Sequence, residues 1–158
     1  MHAGTWPEMP LTWIVPFSPG SSADRYARSL ADKISKQFNQ PIVIDNRTGA
    51  SGTLAATLFT RAAGDGYTLM IGYTGLTYAS VIYPKGGAGF DFAQDFLPIS
   101  AIAREPLALV VNPSSLDVAD LPQFISAARA QPGLITVGSD GLGTISHLAI
   151  NLFEERAD

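Results

Sequence analysis

Trp13-Ile14-Val15-Pro16-Phe17-Ser18-Pro19-Gly20-Ser21-Ser22-Ala23-Asp24 is an apolar run that breaks at a Pro/Gly/Ser turn and opens at once into a helical pattern. The run from Leu11 to Phe17, rich in β-branched residues and bounded by Pro10 and Pro16, reads as a buried first strand. From Ser22 the apolar positions Ala23, Tyr26, Ala27, Leu30, Ile34 and Phe38 recur at helical spacing, with Arg25, Arg28, Asp32, Lys33 and Lys36 mostly on the other side. That predicts an amphipathic helix ending near Asn39. A strand-to-helix turn of this composition places backbone N–H groups and Ser hydroxyls at the positive end of a helix dipole, which suits a carboxylate or a phosphate.

Outward from this unit the alternation continues. Pro41 to Asn46 reads as a second strand, Arg47 to Gly52 as a turn, and the following residues, including Leu54, Leu58, Phe59 and Ala62, as a second helix closed by Gly64-Asp65-Gly66. Tyr67 to Tyr73 supplies a third strand. Strand and helix alternating at this spacing imply right-handed crossovers and a parallel sheet. Leu76 to Tyr83 is expected to be helical and Lys85-Gly86-Gly87-Ala88-Gly89 a flexible surface loop. Two further strands are expected at Pro98 to Ala103 and Leu107 to Asn112, a helix from Leu121 to Gln131, a strand at Ile135 to Ser139 and a last helix from Thr144 to the end. A chain that opens a new strand and helix set and then stops reads as incomplete.

The 158 residues, 46% apolar and 15% charged, describe a globular chain. A net charge of −4 provides no basic field for nucleic acid or for an anionic membrane surface, so an anion must be held locally. The absence of cysteine removes thiolate nucleophiles and Cys-based metal sites, and fits an exported protein. No apolar run reaches the length of a membrane span, and Met1 to Pro7 has neither the basic region nor the apolar core of a signal peptide.

Three loops of one chemical kind follow three strands: Ser18 to Ser22, Thr74 to Thr77 and Asp140 to Thr144. Ligands of open α/β sheets bind outside the carboxyl ends of the strands, so a neutral-lined anion site is expected there, although such turns also need Gly, Pro and Ser for backbone reasons alone. Asp24 is a candidate ligand contact whose position in a first helical turn equally suits a cap or the dipole. His147 could donate to an anion at the last helix but has no partner for nucleophilic or metal chemistry. Catalytic motifs fail: Gly49-Ala50-Ser51-Gly52-Thr53 lacks the last glycine of a nucleophile elbow, and no Walker loop exists. Gly141-Leu142-Gly143-Thr144-Ile145-Ser146 approaches a dinucleotide loop but has Ser146 where Gly or Ala belongs, leaving a nucleotide-binding domain as the alternative.

The series Ile14 to Gly20, Ala23-Asp24 and Ala27-Arg28 resembles the first strand and helix of the tripartite tricarboxylate transporter receptors, the Bug-type periplasmic solute-binding proteins. Gln40 to Arg47 with Gly49 to Gly52, then Asp65 to Leu69, Asp95 to Ile99, Leu109 to Pro113, and Gly141 to Thr144 with His147-Leu148 continue the pattern in order. The resemblance implies an α/β, type II periplasmic-binding-protein (Venus-flytrap) fold. Here that fold would be truncated to a parallel-rich sheet flanked by helices, with a first lobe over 8–105 and an incomplete second lobe over 106–158. Family members run to about twice this length, consistent with two ordinary domains. It implies non-catalytic capture of a di- or tricarboxylate, an amino acid or an aromatic acid, and delivery to the membrane components of a tripartite tricarboxylate transporter. Closure would be by a hinge near Leu107 to Asn112. No metal or organic cofactor, no nucleic acid and no membrane insertion is implied, and the location would be periplasmic without a signal peptide in this chain.

By position, the first-lobe contacts implied are Phe17, Ser18, Pro19, Gly20, Ser21, Ser22 and Asp24 together with Tyr73, Thr74, Gly75, Leu76 and Thr77. The second lobe would contribute Ser139, Asp140, Gly141, Gly143, Thr144 and His147. Gly20-Ser21 stands where the family commonly has two glycines, which adds a side chain to the pocket. A folded but non-functional fragment of such a receptor is the remaining alternative.

Overall fold

The computed structural model describes residues 6–83 and 88–157. The chain divides into two compact units between Ile102 and Ala103.

In the first unit, β1 (Leu11–Val15), β2 (Ile42–Asn46) and β3 (Thr68–Met70) form a three-stranded parallel sheet in the order β2-β1-β3. Register runs from Leu11 opposite Ile42 to Val15 opposite Asn46, and Thr12 to Ile14 lie opposite Thr68 to Met70. Alternate residues of a strand face opposite sides, and the core follows that rule. Leu11, Trp13 and Val15 pack with Ala27 and Ala31 of α1 (Ser22–Phe38) and with Ile71. Met70 instead packs with a second cluster of Ala56, Leu76, Ala79, Ala88 and Phe90. That cluster draws on α2 (Thr53–Phe59) and α3 (Gly75–Ile82), with Phe92 of α4 (Phe92–Asp95) beside it. The sheet is therefore covered on both faces, as a parallel sheet requires.

The small side chains of α1 are what it buries: Ala27 and Ala31 are closed off, whereas Tyr26 and Phe38 at the edges of the predicted stripe are exposed. Asn39 ends the helix in the left-handed conformation with its N–H on Ser35 O.

The expected loop at Lys85 to Gly89 is only partly visible, because 84–87 lie outside the described residues. Its end departs from expectation. Ala88 is a core residue whose carbonyl accepts from Thr57 Oγ1 at 3.1 Å, and a Cβ on Gly89 would stand 2.8 Å from the same oxygen.

The second unit contains α5 (Leu121–Ala130) and α6 (Ile145–Ala157), joined by a Phe124–Phe153 ring contact at 6.1 Å. Asp120 caps α5, accepting from Gln123 N at 2.9 Å, with Pro122 in the first turn.

Three expected strands are not formed: 98–103, 107–112 and 135–139 carry no ladder among the described residues. A strand exists only by exchanging backbone hydrogen bonds with a neighbour. The sequence supplied the apolar pattern for these segments but no edge for them to pair with.

Candidate functional site

Because β2, β1 and β3 run parallel, their carboxyl ends lie along one edge, and the loops that leave them meet there. Asn46 Nδ2 donates to Phe17 O at 2.9 Å, joining the second loop to the first. The Phe17 and Tyr73 rings meet edge to face at 5.0 Å, joining the first to the third. Tyr73 Oη donates to Ser51 O, joining the third to the second. Tyr73 sits between two glycines: a Cβ on Gly52 would lie 2.8 Å from its hydroxyl, and one on Gly75 would collide with its ring.

The second loop is the least ordinary piece of backbone. Gly49, Ala50, Ser51 and Gly52 all have positive φ, at 128°, 47°, 52° and 90°. Left-handed Ala and Ser in succession are costly, and such conformations persist only where surrounding contacts hold them. Burial raises the Tyr73 hydroxyl to about 12, helped by the neighbouring Tyr78 and Tyr83. The ring therefore stays a neutral donor.

Three helices start at this edge, and they differ in what fills their first turn. At α1, Ser21 Oγ accepts from Asp24 N at 3.3 Å, and Asp24 Oδ2 accepts from Gly20 N at 2.8 Å. Asp24 is buried, and its second oxygen accepts from Asn46 Nδ2 at 3.0 Å. Arg28 Nε donates to Asp24 at 2.9 Å, and this contact, followed by the Gly20 and Asn46 hydrogen bonds, holds the carboxyl well below the usual carboxylate range. Both oxygens of Asp24 are thus committed to the protein's own donors. At α2 and α3 the caps Gly52 and Thr74 make no side-chain cap bond.

Of the other first-unit candidates, Ser18, Pro19 and Gly20 are exposed, Ser21 and Ser22 half-buried, and Thr74 and Thr77 exposed. Gly75 is buried, and Leu76 is a core side chain that could reach a ligand only through its backbone. Cationic groups near the loops are already engaged: Arg28 by Asp24, Arg47 by Asp45 at 2.9 Å, and Arg25 by Gly20 O at 3.5 Å. Asn46, Arg28 and the Gly49 to Gly52 turn were not among the sequence candidates. The two glycines spaced three apart after a strand were the available signal.

In the second unit the turn before α6 is held within itself. Thr144 Oγ1 donates to Gly141 O at 2.7 Å and accepts from His147 N at 3.4 Å. Ser146 Oγ donates to Asp140 Oδ2 at 3.1 Å and accepts from Asp140 N at 3.2 Å. Gly141 N donates to Ser139 Oγ at 3.4 Å. Gly143 N donates to His147 Nδ1 at 3.3 Å. Thr144 is buried, His147 half-buried, and Ser139 and Asp140 exposed. An apolar cleft of about 330 Å³ in this unit is lined by Leu109, Val111, Val118, Ala119, Asp120, Leu121 and Phe124, and so by none of the candidates. Among the described residues no group of three or more His, Asp or Glu could hold a metal ion, and no helix is long and apolar enough to cross a membrane.

Residues 26–158 match the family described as "Tripartite tricarboxylate transporter family receptor". A protein of Pseudomonas sp. (strain P51), "UPF0065 protein in tcbD-tcbE intergenic region", is 39% identical over 153 residues, which are 97% of this chain and 45% of that protein. The structure "R. palustris Rpa4515 with adipate" superposes with a TM-score of 0.86 at 39% identity, over 94% of this chain and 49% of that one. "MatC (Rpa3494) from Rhodopseudomonas palustris with bound malate" gives 0.78 at 30% identity, over 96% and 51%. The chain spans about half the length of the relatives it matches.

Proposed function

Because the chain belongs to the tripartite tricarboxylate transporter receptor family, we propose that it captures a small carboxylate in the periplasm, without catalysis, for a secondary transporter of that type. The observation that carries this reading is the match to adipate- and malate-bound structures over 94% and 96% of the chain, at 39% and 30% identity. The chemistry of the loops agrees with it. Neutral backbone donors, hydroxyls and helix starts hold a carboxylate without a salt bridge, directly or through water. The Phe17–Tyr73 pair beside them favours a ligand with an apolar carbon skeleton. On this reading the Phe17 to Ser22 and Tyr73 to Thr77 loops and the Ser139 to Thr144 turn with His147 contact the ligand, and Asp24 acts by fixing the first loop.

Thermal-shift and calorimetric titration of this chain with adipate, malate, an aromatic acid and nucleotides tests the reading. A bound acid raises the melting temperature as its concentration exceeds Kd. Stabilisation by a nucleotide and by none of the acids overturns the receptor reading in favour of a nucleotide-binding domain using the Gly141 loop. Silence from every compound favours a folded fragment without receptor activity.

A further inference from the structure

Asn46 is the last residue of β2, and its one amide reaches two other elements. Nδ2 donates to Phe17 O at 2.9 Å and to Asp24 Oδ1 at 3.0 Å, and Oδ1 accepts from Arg28 Nη2 at 3.3 Å. The orientation of the amide follows from its partners. A carbonyl and a carboxylate both need a donor, and a guanidinium needs an acceptor. With Gly20 N on the other oxygen of Asp24, the segment Phe17 to Gly20 is pinned at both ends: at its start through a carbonyl, at its end through an N–H. Between the pins, Ser18 and Pro19 are exposed, and the Phe17 ring lies against Tyr73.

We propose that Asn46 is a positioning residue that sets the place of Phe17, the start of the Phe17 to Gly20 segment, through its bond to the Phe17 carbonyl rather than through its part in the Asp24 cluster, which holds the Gly20 end. The consequence for ligand binding rests on the carboxylate-receptor reading above. The placement of the loop does not.

The two ends of the clamp separate in an isosteric swap. Asn46→Asp alone removes the donor to Phe17 O and sets two carboxylates against each other. In the double variant Asp24→Asn/Asn46→Asp, the amide of residue 24 accepts from Gly20 N and Arg28 with its oxygen and donates to residue 46 with its nitrogen. Every bond of the cluster is restored except the one to Phe17 O.

The readouts are the Gly20 amide exchange rate, the melting temperature and the nuclear Overhauser contact between the Phe17 and Tyr73 rings, all on the free chain. Asn46→Asp should raise Gly20 exchange at least tenfold and abolish the ring contact. The double variant should recover the melting temperature and Gly20 protection but not the ring contact. If Asn46→Asp does not fold, the double variant decides alone. A ring contact that survives in either variant overturns the proposal. With adipate as probe, binding should follow the ring contact and weaken at least tenfold in the double variant. Failure of the unsubstituted chain to bind adipate or malate counts against the receptor reading and leaves the ring-contact result to decide the role of Asn46.

Discussion

The loops at the carboxyl edge of the first-unit sheet and the turn before α6 are alike in being built from Gly, Ser and Thr, yet they are held together differently. The first-unit loops are tied across the chain: Asn46 to Phe17 over 29 residues, Tyr73 to Ser51 over 22, and Arg28 to Asn46 over 18. The α6 turn closes on itself through Asp140 and Ser146, Gly143 and His147, and Thr144 and Gly141, pairs separated by 6, 4 and 3 residues. Long-range ties form only with the sheet and stand or fall with it. Local ties can open and close with one helical turn. The first region should therefore respond to substitution as a unit, and the second residue by residue.

Gly52→Ala strikes the first region hardest. Gly52 has φ of 90°, and a Cβ there would stand 2.8 Å from Tyr73 Oη and 2.9 Å from Cε1. The backbone conformation disfavours any side chain, and the neighbour is a ring already wedged against Gly75. Denaturant unfolding should show a loss of about 2–4 kcal/mol, and the Phe17–Tyr73 contact should be disturbed with it. A loss below about 1 kcal/mol would mean that Tyr73 moves aside freely and that the three loops are not interlocked.

Asp24→Asn should have a smaller effect at neutral pH and a specific one in acid. The folded carboxyl is held well below the usual range, so an unfolded chain takes up its proton near pH 4 while the folded chain does not. Protons are then bound preferentially by the unfolded state, and stability rises with pH in that interval. The contribution is fully present above about pH 5 and is lost as pH falls through 4 and below. The substitution should lower the melting temperature of the first unit by roughly 5 °C at pH 7 and flatten its decline between about pH 4 and 2. An unchanged acid slope in Asp24→Asn would show that Asp24 is not the group that couples this loop to pH.

The contrast also explains what the sequence could reveal. The β1, α1, β2 and β3 pattern was readable because strand alternation and helical spacing are local, and Ser21 and Asp24 stood where a cap belongs. The left-handed run from Gly49 to Ser51 was not readable as such, because Ala50 and Ser51 are ordinary residues held at positive φ by contacts such as the Tyr73 hydrogen bond. Asn46 gave no signal, since its importance lies in partners 22 and 29 residues away. Apolar runs at 98–103, 107–112 and 135–139 read as strands for the same reason in reverse: pattern is local, but pairing is not. The first loop read as an anion site at a helix start, and what its composition did not reveal is that the Gly20 N–H just before that helix is taken by the chain's own Asp24.

The smallest expected effect tests the local side of the comparison. Thr144 stands immediately before α6 and is buried, and its hydroxyl bonds Gly141 O at 2.7 Å and His147 N at 3.4 Å. Thr144→Ala removes a helix cap, worth about 1 kcal/mol. That free energy corresponds to roughly a fivefold faster opening of the first turn. Exchange of the His147 and Leu148 amides should rise by about that factor, and Thr144→Ser, which keeps the hydroxyl, should restore it. The Gly20 and Ser21 amides of the first unit should not change. A Thr144→Ala effect that spreads through α5 as well as α6 would show that the turn is tied to the rest of its unit by more than its own hydrogen bonds. The distinction drawn between the two regions would then fail, because each would be a cooperative cluster and neither a self-contained turn.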